Sequence, residues 1–208
     1  MTATSPSHDR TVAELIHQLG RLAYGEGFVA GLTAAQWTTL RYFARANRFS
    51  RTVSAFAEFH ATTRGTASQT IKSLVAQGYL SRTRSTNDGR STRLDVTTKG
   101  HRILSDDPFE GLVQAVAAVS PGVRPKLATS LERMLSHLAR AQRNRPFGTC
   151  PTCKHLINEG SCPQDQPPYM CGLVGEPLTE RELAEICVNF EPGRTSAMRR
   201  TLNEGSPQ

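Results

Sequence analysis

Cysteine is missing from the first 149 residues of this 208-residue chain and then occurs five times between Cys150 and Cys187. Acidic residues are also in short supply. Eighteen Asp and Glu face 25 Lys and Arg, a formal charge of +7, so the natural macromolecular partner is a polyanion, nucleic acid ahead of a membrane surface. No stretch reaches the ~18 apolar residues of a membrane span. The opening MTATSPSHDR has neither the basic start nor the apolar run of a secretory signal. These absences argue against spanning and secretion and make a cytoplasmic protein the expectation. In that compartment thiols stay reduced, so clustered cysteines read as metal ligands or redox sensors before structural disulfides.

Proline is scarce early as well, with eight of the twelve falling from Pro146 onward. Residues 9–145 show helical periodicity with few breaks and no internal repeat, which places a boundary near Arg145. The length allows one domain of ordinary size plus an appendage.

Within the first part, Val12, Leu15, Ile16, Leu19, Leu22 and Ala23 recur at spacings of three and four, one apolar stripe on a helix. The run LTAAQWTTLRYFARA opens with a capping box between Thr33 and Gln36, flanked by Leu32 and Trp37 as a hydrophobic staple. A short helix follows with Val53, Phe56 and Ala57 inward. The next, in TTRGTASQTIKSLVAQGYL, buries Ala67, Ile71, Leu74 and Val75 and stops at Gly78. Its other face carries Gly65, Ser68, Gln69 and Lys72. Taken alone, that face reads first as a solvated surface of an amphipathic helix and second as a face that meets base edges and phosphates.

The following YLSRTRSTNDGRSTRLDVTT places an Asp-Gly between two strand-like runs, a hairpin signal. From Tyr79 to Arg102 six cations face two anions. A hairpin of that charge suits a phosphate backbone, with Arg90 at the tip able to enter the minor groove.

The run NDGRSTRLDVTTKG, with Asp88, Arg90, Leu94, Thr97 and Gly100, resembles the wing signature of the MarR family of winged-helix regulators, and the preceding helix resembles that family's recognition helix. The resemblance covers roughly residues 10–143. It implies a mainly α fold with a small β-wing, a winged helix-turn-helix, dimerised by helices from both chain ends. It also implies double-stranded DNA as partner, with Arg90 entering the minor groove and Asp88 helping to hold it. Recognition-helix roles carry to Arg64, Thr66, Ser68, Gln69 and Lys72, and Arg82 and Arg84 on the first wing strand are backbone-contact candidates. Gly65 stands where the family often has Pro. Residues 98–143 are then expected to supply dimer helices, with Leu127, Leu131, Met134, Leu135 and Leu138 at helical spacing, a break at Ser120-Pro121 and another near Pro108. The expected organisation is a disordered N-terminus (1–9), a MarR-like DNA-binding and dimerisation domain (10–145), a Cys-rich metal-binding segment (146–192) and a flexible tail (193–208).

The cysteines have the spacing C-x2-C-x8-C-x8-C-x15-C in a segment too poor in apolar residues for a core of its own, which calls for a metal or a crosslink. One knuckle plus distant single thiolates fits an iron-sulfur cluster. Structural zinc is the alternative, although zinc ribbons commonly use two knuckles, and a disulfide switch is a third. The expected ligands are Cys150, Cys153, Cys171 and Cys187, with Cys162 as a possible substitute; His155 could also substitute but reads first as a solvated histidine. A second capping box, Thr179 with Glu182, is expected to open a short helix that presents Cys187 inward. Because the segment follows the last dimer helix closely, its state is expected to act on the packing of those helices. A thiol-disulfide oxidoreductase using Cys150 and Cys153 is the rival from another class. Its motif should open a helix after a strand, which KHLINEGSCP does not offer, so no enzyme is expected. The operator and any small-molecule effector are not legible.

Overall fold

A helix that shows one apolar stripe to solvent needs a partner, and the first helix has this character along its whole length. In the computed structural model, which describes residues 7–23, 28–84, 92–141, 146–158 and 168–193, α1 spans His8–Ala23 with none of its residues buried. It begins two residues ahead of the boundary expected at residue 10. Two short strands follow, β1 (Phe28–Val29) and β2 (Leu32–Thr33), paired antiparallel.

The core is built around α2 (Ala34–Arg45), whose start forms as expected: the Thr33 hydroxyl accepts from the Gln36 backbone amide and the Gln36 side-chain Oε1 accepts from the Thr33 backbone amide. Leu32 and Trp37 are both buried beside it. Helices α3 (Val53–Phe59) and α4 (Arg64–Ala76) are each capped by a threonine, Thr52 and Thr63. They pack on α2 through Phe43, Phe56, Ala67, Ile71 and Leu74. Val53 and Val75, expected inward, are only partly buried.

Strands β3 (Leu80–Arg84) and β4 (Thr92–Val96) form the hairpin, in register from Leu80 opposite Val96 to Arg84 opposite Thr92. Leu80 and Leu94 anchor it in the core. Thr97 caps α5 (Thr98–Ile103), and its hydroxyl also donates to the Gly78 carbonyl at 2.7 Å. A Cβ at Gly100 would lie 2.3 Å from the Tyr79 carbonyl oxygen, so only glycine fits where this helix crosses the hairpin. Three residues of the wing signature, Leu94, Thr97 and Gly100, thus serve to seat the wing.

A 3-10 turn at Leu104–Asp106 and the Asp107-Pro108 step end this stretch, and α6 (Glu110–Ala117) and α7 (Arg124–Ala141) follow. Neither buries a residue. Leu127, Met134, Leu135 and Leu138 on α7 are exposed, like Val12, Leu15, Ile16, Leu19 and Leu22 on α1, and Leu131 is half-buried.

The C-terminal segment has a 3-10 turn at Cys150–Thr152, a three-stranded antiparallel sheet of β5 (Leu156–Asn158), β6 (Tyr169–Cys171) and β7 (Glu176–Pro177), and α8 (Glu180–Leu183). The Thr179–Glu182 capping box forms. The helix does not reach Cys187, however. It ends at Leu183, and the chain turns into an extended stretch in which Ile186 pairs with Ala46 and Cys187 with Gly148. Among the described residues no helix is long and apolar enough to cross a membrane.

Candidate DNA-binding face and thiol centre

The first site is the outer face of α4 and the hairpin beside it. Arg64, Thr66, Gln69 and Lys72 are exposed on α4 and Ser68 is half-buried, while Ala67, Ile71 and Leu74 point into the core. The helix start is fixed despite Gly65: the Thr63 hydroxyl accepts from the Thr66 amide at 3.1 Å. Its middle is tied to α2 by one glutamine, since the Gln36 side-chain amide donates to Ser73 at 2.9 Å. The polar face is therefore held by a buried stripe and a polar clamp, so little ordering is left to a ligand. Arg82 is exposed on β3. The side chain of Arg84, and Asp88 and Arg90 at the hairpin tip, lie outside the described residues.

At the base of the hairpin Asp95 gathers its neighbours. It accepts from Arg51 and Arg93 at 3.0 Å each and from the Thr83 hydroxyl at 3.2 Å. Burial opposes its ionisation, but the Arg51 hydrogen bond and the Arg93 charge prevail and hold the carboxyl below its ordinary value.

The second site is in the C-terminal segment, where Cys150, Cys153, Cys171 and Cys187 line one cavity of about 400 Å³, part of it open to solvent. Each is delivered by a different backbone device. The 3-10 turn sets Cys150 and Cys153 together, with the Cys153 amide donating to the Cys150 carbonyl at 2.9 Å. Strand pairing places Cys171 opposite Leu156, and a turn returns the Gly175 amide to the Cys171 carbonyl at 2.7 Å. Cys187 is held by its bridge to Gly148, where a Cβ would meet the Phe190 ring at 2.9 Å. All four are free thiols. Cys162 lies outside the described residues.

The rest of the cavity wall is mostly apolar, with Phe49, Leu156, Leu173, Val174 and Leu178 beside Asn47, His155 and Asn189, and there is no Lys or Arg among the lining residues. Burial, and then the charges of Cys187, Cys153 and Cys171, push the Cys150 thiol up to about 11. A catalytic thiol needs the opposite, a cationic setting that lowers its pKa. The CPTC motif also opens no α-helix, only a three-residue turn leading to β5. Both observations disfavour the oxidoreductase reading. Thiolates, by contrast, would suit this cavity if a cationic cofactor bound them. Among the described residues no three His, Cys, Asp or Glu side chains stand close enough to share a single metal ion as they are. His155 is not the solvated histidine expected from the sequence. It lines the cavity, and its Nε2 lies 3.1 Å from Glu191, which fixes the ring.

Sequence reasoning missed the seat of this segment. It docks on the turn between α2 and α3. The backbone amide of buried Asn47 donates to the Ile186 carbonyl at 3.0 Å, the Ile186 amide donates to the Arg45 carbonyl at 2.8 Å, and the Val188 amide donates to the Ser50 hydroxyl at 3.1 Å. Arg48 reaches Glu182 at 2.5 Å and Glu176 at 3.2 Å, and Arg51 lies 3.7 Å from Glu185. Phe147 packs on Phe59 with ring centroids 4.3 Å apart. The segment therefore meets the helix-turn-helix and the wing base, where an action on the dimer helices had been expected. The one sequence signal, a run of Asn, Arg and Ser after α2, has no periodicity to single it out.

Residues 30–91 match the MarR family. The chain is similar to the solved MepR–DNA complex of S. aureus, at 21% identity over 64% of this chain and 96% of that one, with a TM-score of 0.52. It is also similar to a MarR transcriptional regulator from Methanosarcina mazei Go1 (21% identity, 63% and 98% covered, TM-score 0.51). A third likeness is to a MarR/EmrR family transcriptional regulator from Acinetobacter sp. ADP1 (16% identity, 65% and 99% covered, TM-score 0.53). No curated protein matches the chain by sequence. Those solved chains are covered almost whole, whereas about a third of this chain has no counterpart in them. Residues 30–91 thus match the MarR family, and the likeness to these solved chains shows the winged-helix fold.

Proposed function

We propose that the chain is a cytoplasmic DNA-binding regulator, a repressor, that reads a palindromic operator as a homodimer and carries an iron-sulfur cluster on Cys150, Cys153, Cys171 and Cys187 as a sensor of redox or iron state. The observation that carries the DNA reading is the exposed face of α4, polar at its start and basic at Lys72, fixed rigidly beside a basic hairpin. Arg64, Thr66, Ser68 and Gln69 supply groups for base edges, and Lys72, Arg82 and Arg84 supply cations for phosphates. Asp88 and Arg90 take the wing-tip role that the MarR resemblance implies. Dimerisation is supported by the apolar stripes of α1 and α7, which one chain leaves uncovered.

The cluster reading is supported by four thiols on one apolar cavity, arranged as one knuckle and two single cysteines. When bound, such a cluster supplies a group that responds to oxidants and to iron supply. The same four-thiol set favours a second reading, structural zinc with a small-molecule effector acting elsewhere. Anaerobic purification with iron, sulfide and zinc analysis separates the two. Iron and sulfide in equal amounts support the sensor, and zinc alone in a colourless protein replaces it. For the DNA reading, Arg90→Ala and Lys72→Ala that bind duplex DNA as well as the parent does would overturn it.

A further inference from the structure

We propose that the thiol centre controls the wing, and that Arg51 carries the coupling. The proposal rests on the reading of the four cysteines as a cofactor site and adds the route by which its state reaches DNA.

The route begins at the backbone around Cys187. The residue before it, Ile186, is hydrogen-bonded through both its amide and its carbonyl to Arg45 and Asn47, and the residue after it, Val188, donates to Ser50. Asn47 in turn holds Ser50, its side-chain oxygen accepting from the Ser50 amide at 3.0 Å and hydroxyl at 2.7 Å. Asn47 also lines the thiol cavity. A shift of Cys187 is therefore a shift of the α2–α3 turn, because the two chain segments share one backbone network.

Arg51 is the next residue along that turn, and it faces two ways. Its carbonyl accepts from the Leu94 amide at 2.8 Å, and its guanidinium reaches Asp95 on β4 at 3.0 Å. On the other side the same guanidinium lies 3.7 Å from Glu185, two residues before Cys187, while its Nε donates to the Ala46 carbonyl at 2.8 Å. Asp95 also accepts from Thr83 on β3, so both strands of the wing converge on the carboxylate that Arg51 holds. With residues 185–188 fixed by an assembled centre, Arg51 is held between Glu185 and Asp95 and sets the wing. When Cys187 is released, Glu185 loosens, Arg51 is left to Asp95 and Ala46, and the wing gains freedom. A wing without a fixed position presents its cations to phosphates less well, at the entropic cost of ordering them on binding.

Hydrogen-deuterium exchange on the full-length protein, purified anaerobically and assayed for iron, sulfide and zinc on the same sample, tests this. The parent is compared with Cys187→Ser and with Glu185→Gln, which changes no cysteine, and protection of residues 64–76 is the control for folding. Exchange over 80–84 and 92–96 is expected to rise several-fold in both variants, with residues 131–141 of α7 unchanged. Unaltered wing exchange in Glu185→Gln would overturn the route whatever the metal content. So would Cys187→Ser that loosens α7 and leaves the wing protected. A sample without iron, sulfide or zinc removes the cofactor reading of the site, and the Glu185→Gln result then decides the route by itself.

Discussion

The winged-helix domain and the thiol segment are held together by different forces. Between Leu32 and Leu104 a continuous set of side chains, among them Trp37, Leu40, Phe43, Ile71, Leu74, Leu80 and Leu94, is shut away from water, and burial of that kind sustains a fold by itself. Among the described residues between Pro146 and Gly193, only Cys150, Leu178 and Val188 are buried hydrophobics. There the structure comes from backbone bridges, capping, ion pairs to the neighbouring domain and four thiols around one cavity. The first region is sustained by its own burial, whereas the second depends on its seat against the neighbouring domain. A segment of that kind is suited to change state while the domain beneath it keeps its fold.

A substitution in the core should separate the two regions most strongly. Phe43→Ala, which empties a fully buried site, is expected to cost about 3 to 5 kcal/mol in denaturant unfolding, whereas Cys153→Ser should leave the unfolding of the winged-helix domain almost unmoved. Equal losses in the two variants would show that the regions fold as one unit.

Acid acts on the core next. His60 sits among Tyr42, Phe56 and Phe59, and burial first, then the Arg41 charge, lowers its pKa to about 4. Above the ordinary value near 6.5 both folded and unfolded states are neutral. As pH falls from there toward 4 the unfolded chain takes up a proton that the folded one refuses, so stability declines, by about 3 kcal/mol once below both values. His60→Phe should flatten that part of a stability profile. Asp95, held below its ordinary value, adds a further loss only at lower pH, as the acid approaches its depressed folded pKa.

The seat of the thiol segment should give a smaller effect. Arg48 is a quarter exposed and bridges Glu182 and Glu176, so Arg48→Ala is expected to cost about 1 to 3 kcal/mol. The loss should be read as faster proteolysis within 146–193, with 30–104 still resistant. At the DNA face, Arg90→Ala should weaken binding by about 1 to 3 kcal/mol, and Lys72→Ala should lower the salt slope by about one unit, both measured by fluorescence titration against salt.

What could be read from the sequence follows the same division. The stripe of Ala67, Ile71 and Leu74, the Thr33–Gln36 and Thr179–Glu182 boxes and the hairpin around Asp-Gly are local patterns, and local patterns decide helices, caps and turns. The grouping of Cys150, Cys153, Cys171 and Cys187, which line one cavity, was legible in their clustering along the chain. The end of α8 at Leu183 was not, because Ile186 leaves helical geometry to pair with Arg45 and Asn47, some 140 residues earlier in the chain. Nor was the Arg51–Asp95–Glu185 chain, whose members are ordinary surface residue types until the fold brings them together.

The most direct test of the central claim is selection of duplexes from a random pool by the anaerobically purified protein, followed by titration of the enriched duplex with intact and cofactor-stripped samples. A twofold-symmetric site with half-sites about one DNA turn apart is expected, with an affinity that changes by about 1 to 3 kcal/mol on stripping. Enrichment of no sequence, or one affinity shared by both samples, would contradict it.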